Sequence, residues 1–185
     1  MSNLYEAAAA PTLGVANALT DDQLAVATPC TEYTVRDVLN HLYQVTGFFA
    51  DLGRGVEGDF TAEPDLIVGE WRRGLSDATA SLSRAWSAEG SLEGPDTSFG
   101  MPRAMAANVA ISELLVHGWD VAVACGLPYE PSSAVVDYVW GFQSHGNPHT
   151  EGPPGLFGPP VAADEDAPRL DRLIAHLGRD PRWKP

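Results

Sequence analysis

Lysine is almost missing from this chain: Lys184 is the only one, and neither Lys nor Arg occurs before Arg36. With 25 acidic residues against 11 basic ones, the formal net charge is −14. Such a surface repels nucleic acid and anionic membranes, since both need a basic footprint, so neither is an expected partner. The acidic excess reads first as a solubility property. Cysteine is equally scarce. Cys30 and Cys125 are too few for a disulfide framework and lack the spacing of a metal motif. Cys125 reads as a small core residue near a helix end. Cys30, in a Pro-containing turn, reads as structural in preference to a group at the mouth of a site. No basic stretch followed by an apolar run opens the chain, so a cytoplasmic location is expected. A nucleophile elbow, a P-loop and a dinucleotide fingerprint are all absent, which leaves hydrolase, kinase and Rossmann assignments without support. No repeat, heptad array or strand ladder is visible either.

What the chain does have is one long apolar stretch, from Arg103 to Leu127, broken by little except Glu113, His117 and Asp120. Their i, i+4, i+7 spacing puts all three within roughly 60° of one helical face. Ile111, Leu114, Leu115, Val116, Val121 and Val123 surround that face with hydrocarbon, the pattern of a helix buried nearly all round. The stretch is long enough to suggest a membrane span, but three ionisable side chains and the lack of a basic C-terminal flank argue against insertion. A buried carboxylate and imidazole need partners, because an unpaired buried charge is costly or is neutralised by a shifted pKa. A divalent metal suits both groups at once.

Other helices follow from periodicity and caps. Residues 3–19 form a first apolar-periodic segment in which Pro11 should kink the helix or mark its true start. Thr20-Asp21-Asp22 caps a short turn, and Thr28–Thr31 is a loop. Thr34 is the N-cap of a second helix with Asp37 at its third position. There Val38, Leu42, Val45 and Phe49 form a stripe, and His41 falls on the same inward face. Residues 53–64 read as a Gly-containing loop. A third helix is expected over 65–88, a connector over 89–100, a fourth helix over 101–125 stopped by Gly126 and Pro128, and a fifth from Pro131 to about Ser144. Residues 145–168, rich in Pro and Gly, read as an irregular surface segment, followed by a short helix Leu170–Leu177 and a polar tail. The expected fold is all-α: one domain over 1–185, a four-helix bundle with core 1–128 and an irregular C-terminal extension 129–185.

Bundles build metal sites from inward side chains on adjacent helices. His41, Glu113 and His117 give two imidazoles and one carboxylate, leaving open positions as catalytic zinc and facial-triad iron sites do. Asp120 suits the outer role, accepting an imidazole N–H and fixing its tautomer. A rival cluster, His145, His149 and Glu151, has Gly146, Asn147 and Pro148 in its midst and reads as a loop. Two further readings stay open: Glu113 and Asp120 as a metal-free acid/base pair, and a trio that only hydrogen-bonds within the core. Trp119 and Tyr43 lie near these positions and read as core packing.

Two stretches resemble a known family. Thr28-Pro29-Cys30-Thr31-Glu32-Tyr33-Thr34-Val35-Arg36-Asp37-Val38-Leu39-Asn40-His41 is similar to the start of the second helix in DinB-like metal-binding proteins, among them the N-terminal domain of mycothiol-dependent maleylpyruvate isomerase. Leu114-Leu115-Val116-His117-Gly118-Trp119-Asp120 resembles the second metal-binding segment of the actinobacterial branch. The tail, Gly155–Pro160 with Asp171-Arg172-Leu173 and Gly178-Arg179-Asp180-Pro181, resembles that branch too. The resemblance implies a DinB-like four-helix bundle and ligands at His41, Glu113 and His117. It also implies a divalent ion, commonly zinc or nickel, that activates a low-molecular-weight thiol, mycothiol being the candidate co-substrate, against a small electrophile. The isomerase has a further C-terminal domain with no counterpart in the roughly sixty residues after Gly126. The implied activity is therefore general metal-dependent thiol S-transfer, with a non-catalytic metal- or ligand-binding bundle as the alternative. The metal, thiol, electrophile and oligomeric state stay open, a homodimer being one expectation.

Overall fold

A computed structural model describes the chain apart from residues 59, 61, 63, 99 and 147–156, with the side chains of 2, 145 and 146 also left aside. Among the described residues six α-helices account for the order: α1 Ser2–Ala18, α2 Val35–Gly53, α3 Trp71–Ser87, α4 Arg103–Ala124, α5 Ser133–Gly146 and α6 Arg169–His176. Among the described residues there is no strand, only an isolated bridge between Ala27 and Thr34. Helices α1 and α2 each pack against both α3 and α4, so the four close into a bundle with α1 and α2 on one diagonal. Helices α5 and α6 pair with each other, and α5 lies on α4.

The expected caps are present. Thr34 and Asp37 form a reciprocal capping box: the Asp37 amide donates to Thr34 Oγ1 at 3.3 Å and the Thr34 amide to Asp37 Oδ2 at 2.9 Å. Along α2 the residues Val38, Leu42, Val45 and Phe49 are all buried. Thr20 caps a 3₁₀ turn over Asp21–Ala25. Helix α4 ends in a Schellman turn: Gly126 takes φ +64°, the Leu127 amide reaches Ala122 O at 2.9 Å, and the Gly126 amide reaches Val123 O at 3.3 Å. Nearly every residue of α4 from Ala106 to Ala124 is buried, as an all-round apolar helix should be. Even so, among the described residues no helix is long and apolar enough to cross a membrane.

Three boundaries differ from the sequence reading. Pro11 does not start α1, which runs through it from Ser2. The backbone bond that Pro11 cannot make is outweighed by tertiary anchors on either side of it. Tyr5 donates to Ala107 O at 2.8 Å and Thr12 to Leu114 O at 2.9 Å. Helix α3 begins at Trp71, not at 65. The backbone of 64–66 is taken by α2: the Asn40 side-chain amide donates to Pro64 O at 2.9 Å and accepts from the Leu66 amide at 2.7 Å, while Arg36 Nη2 reaches both Asp65 carboxylate oxygens at 2.7 and 2.9 Å. Gly69, at φ +55°, then breaks any helix before Trp71. Helix α5 starts at Ser133 because Ser132 serves as its cap, its carbonyl accepting from Val135 at 3.1 Å. These straps matter for function, because the segment tied to α2 forms one wall of a pocket over His41.

Candidate metal centre

The bundle brings together the three residues that the sequence singled out, from two facing helices. His41 (α2) and His117 (α4) both direct Nε2 at one oxygen, Oε2 of Glu113 (α4), at 3.2 and 3.1 Å. Glu113 and His117 are 3 % and 4 % exposed, whereas the His41 side chain is 28 % exposed and is the face of the trio that meets solvent. The two imidazole rings meet edge to face with centroids 5.0 Å apart. Asp120 lies on the other side of His117: its Oδ2 accepts the Nδ1–H of His117 at 3.0 Å and it has no exposed surface.

That arrangement has a chemical consequence. Once Nδ1 carries the proton given to Asp120, the Nε2 lone pair of His117 faces a carboxylate lone pair of Glu113. Two lone pairs at this distance repel, so something positive must lie between them. In the metal-free protein a proton does so. Burial opposes charge on His117, but its bonds to Asp120 and Glu113 prevail and raise its pKa to about 9. Burial likewise works against ionised Glu113, yet the donors His117 and His41 hold its carboxyl well below the usual range. The donor set equally fits a divalent ion. The three donor atoms lie within 4.8 Å of one another. The two contacts to Glu113 are close to the edge of about 3.3 Å between ligands in a tetrahedral site with bonds near 2.0–2.1 Å. The outer carboxylate on Nδ1 is the usual second partner of a metal-bound imidazole.

The pKa shifts carry a sign. His117 gains stability by being protonated when folded, an effect fully present below pH 6.5 and lost as pH rises through about 9. Glu113 contributes only above the ordinary carboxylate range and its contribution is lost on acidification. Metal-free protein is therefore expected to weaken by on the order of 3 kcal/mol between pH 6.5 and 9, in urea titrations run with chelator. Stability flat across that interval would contradict the protonated His117.

Two residues at the centre were not read as functional from sequence. Arg179, from the tail taken to be polar and exposed, is 6 % exposed and forks onto Asp120, Nε to Oδ1 at 3.4 Å and Nη2 to Oδ2 at 3.2 Å. The signal available was indirect: a buried Asp on α4 needs a cation, and the tail is one of the few places that holds Arg. Cys30 Sγ lies 3.8 Å from the same Nη2, within ligand distance of His117 and Asp120. Burial and then the Asp120 charge raise its thiol pKa against the opposing Arg179 charge, and the net effect favours the neutral thiol. The guanidinium beside it disfavours a second cation there. The alternative of Glu113 and Asp120 as an acid/base pair finds them on opposite sides of His117, each bonded to it. Of the rival cluster, His149 and Glu151 lie outside the described residues, as does the side chain of His145.

Above His41 is a pocket of about 440 Å³, lined by Glu32, Tyr33, Asp37, Asn40, Gln44, Phe60 and Ala62 besides His41 itself. Phe60 stands edge-on to His41 with centroids 6.1 Å apart. A larger groove of about 560 Å³ between α1 and α3 touches none of the trio.

An all-helical bundle with two imidazoles and a carboxylate converging from adjacent helices is the build of a candidate metal-binding domain. The model for the mycothiol maleylpyruvate isomerase N-terminal domain matches residues 5–122, and the chain belongs to that family. Two curated relatives carry the names uncharacterized protein MT0763, from Mycobacterium tuberculosis strain CDC 1551 / Oshkosh, and uncharacterized protein Rv0738, from strain ATCC 25618 / H37Rv. Each is similar at 28 % identity over 170 residues, covering 87 % of this chain and 87 % of its own. No solved structure is a significant match.

Proposed function

We propose that this protein holds one divalent ion through His41, Glu113 and His117, with Asp120 orienting His117, and uses it to activate a low-molecular-weight thiol for transfer to a small electrophile. The observation that carries the reading is the convergence of three lone-pair donors on one point. Two of them are buried and the third opens to a pocket. A divalent ion there would act as a Lewis acid, lowering the pKa of a coordinated thiol into the neutral range. Zinc and nickel both suit the donor set.

The chain's own residues supply the rest. Glu113 and His117 are almost wholly buried, and His41 borders the pocket, so a ligand approaches from the α2 side. Asn40 fixes the backbone of Pro64 and Leu66, and Gln44 bonds Ala62 O, holding that wall of the pocket in place. Phe60 offers an apolar edge. The described lining includes the carboxylates Glu32 and Asp37 and, besides the His41 imidazole, no basic side chain, and no Lys or Arg occurs between Arg103 and Arg169. Such a pocket favours an uncharged or cationic electrophile over a dicarboxylate by like-charge repulsion, an effect that solvent screens because both carboxylates are exposed and that the ion's own charge offsets in part. This adds a second reason, beside the missing counterpart of the isomerase's C-terminal domain among the residues after Gly126, for favouring general S-transfer with a mycothiol-type thiol over isomerisation of a dianionic substrate.

Elemental mass spectrometry on untagged protein, wild type beside His117→Ala, tests the reading. About one ion per chain in the wild type and none in the variant is expected. Full metal in His117→Ala refutes the ligand set. Thiol-dependent consumption should then be faster with an uncharged electrophile than with a dicarboxylate one. Metal without any thiol turnover would leave the non-catalytic binding protein.

A further inference from the structure

The family match ends at residue 122, yet the group that holds the outer carboxylate in place comes from the far end of the chain. Helix α6 closes in a Schellman turn: the Gly178 amide bonds Ala175 O at 3.1 Å and the Arg179 amide bonds Ile174 O at 3.1 Å. Gly178 adopts φ +84° and packs so tightly that a Cβ there would meet backbone atoms of Gly158 at 2.7 Å. The turn reverses the chain and sends the Arg179 side chain back to α4, with Leu177 and Ile174 buried beneath it. Nη1 donates to Leu177 O at 2.9 Å, and the guanidinium lies 5.4 Å from the Phe157 ring centroid.

We propose that Arg179 is a positioning residue of the metal centre, clamping Asp120 so that His117 presents Nε2 beside Glu113 and His41. A carboxylate on a short side chain can rotate about its last bond. Here both oxygens are engaged by one planar fork, and Oδ2, the oxygen that accepts from His117 Nδ1–H, is the one taken by Nη2. The fork fixes the carboxylate plane, the carboxylate fixes the imidazole tautomer and tilt, and the imidazole sets the donor geometry. A bare charge would not do the same, since a Lys ammonium is a point donor without a fork. Nor is such a pair well explained as stabilisation alone, because buried ion pairs are often no better than apolar substitutes. By this route the C-terminal segment, outside the matched family region, is a working part of the centre.

The metal-affinity side of this inference rests on the proposed function; its geometric side does not. The test therefore uses the full chain as wild type, Arg179→Lys and Arg179→Gln, with two readouts. In chelator competition both variants are expected to bind zinc some 10- to 100-fold more weakly than wild type, and their cobalt-loaded visible spectra should change shape. In metal-free protein at alkaline pH, where His117 has lost its second ring proton, side-chain 15N spectra should show the Nδ1–H tautomer in the wild type and a mixture of tautomers in Arg179→Lys. Wild-type affinity, cobalt spectrum and 15N pattern in folded Arg179→Lys would overturn the role, even if its melting temperature falls. If no protein binds metal but the 15N pattern still changes in the variant, positioning stands and the metal reading fails.

Discussion

Asp120→Ala is expected to cost the fold about 3–5 kcal/mol, among the largest single effects in this chain, because it leaves a guanidinium buried without its counter-charge. Asp120 is wholly buried and Arg179 nearly so, and the two share a doubly engaged contact. His117 loses the acceptor on Nδ1 in the same step. A domain of ordinary stability, about 5–15 kcal/mol, would survive with little to spare. Urea denaturation of the metal-free variant at pH 7 measures the loss. The control is the double substitution Asp120→Leu with Arg179→Met, which removes both charges and should recover most of the stability, since replacing a buried pair by apolar groups is often neutral. Recovery of stability without recovery of metal binding would separate folding from positioning at a single site. A loss below 1 kcal/mol in Asp120→Ala would mean that water reaches Arg179 and that the pair is not buried in solution.

The difference between Asp120 and Arg179 also shows what the sequence could and could not reveal. Glu113, His117 and Asp120 were legible because helical periodicity relates residues within two turns, and an apolar surround makes three polar side chains stand out. His41 was legible for the same reason, on the stripe of α2. Helix caps at Thr34 and Gly126 carry their own local chemistry. Arg179 was not legible. Its partner lies 59 positions away, and an Arg in a Gly-Arg-Asp-Pro tail has the local signature of an exposed turn. Tertiary pairing of that range leaves no periodic trace. The start of α3 failed differently: side chains of α2 compete for the backbone groups of 64 and 66, and Gly69 at φ +55° then bars a helix before Trp71. In both cases a side chain from another element contributes to the outcome.

Zinc in excess is expected to raise the melting temperature of the wild-type protein by roughly 8–16 °C and to leave His117→Ala unmoved. The magnitude follows from linkage. An ion that binds only the folded state stabilises it by about 4 kcal/mol at a free concentration a thousand times its Kd, and a chain of this size gains roughly 2–4 °C per kcal/mol. The unfolded chain offers little competition, having two cysteines and five histidines spread from end to end. Chelator should return the wild type to its metal-free value, and nickel should act in the same direction if the site is selective for donor type more than for one metal. The experiment also decides between an ion and a proton as the positive charge between His117 and Glu113. If the trio serves only as an internal hydrogen-bonded network, neither zinc nor nickel moves the transition, and His41→Phe is tolerated because its ring can pack beside Phe60. If an ion belongs there, His41→Phe removes a donor and abolishes the shift, although the bundle still folds. The same partly exposed imidazole thus separates the two cases: as a core residue it is replaceable, and as a ligand it is not.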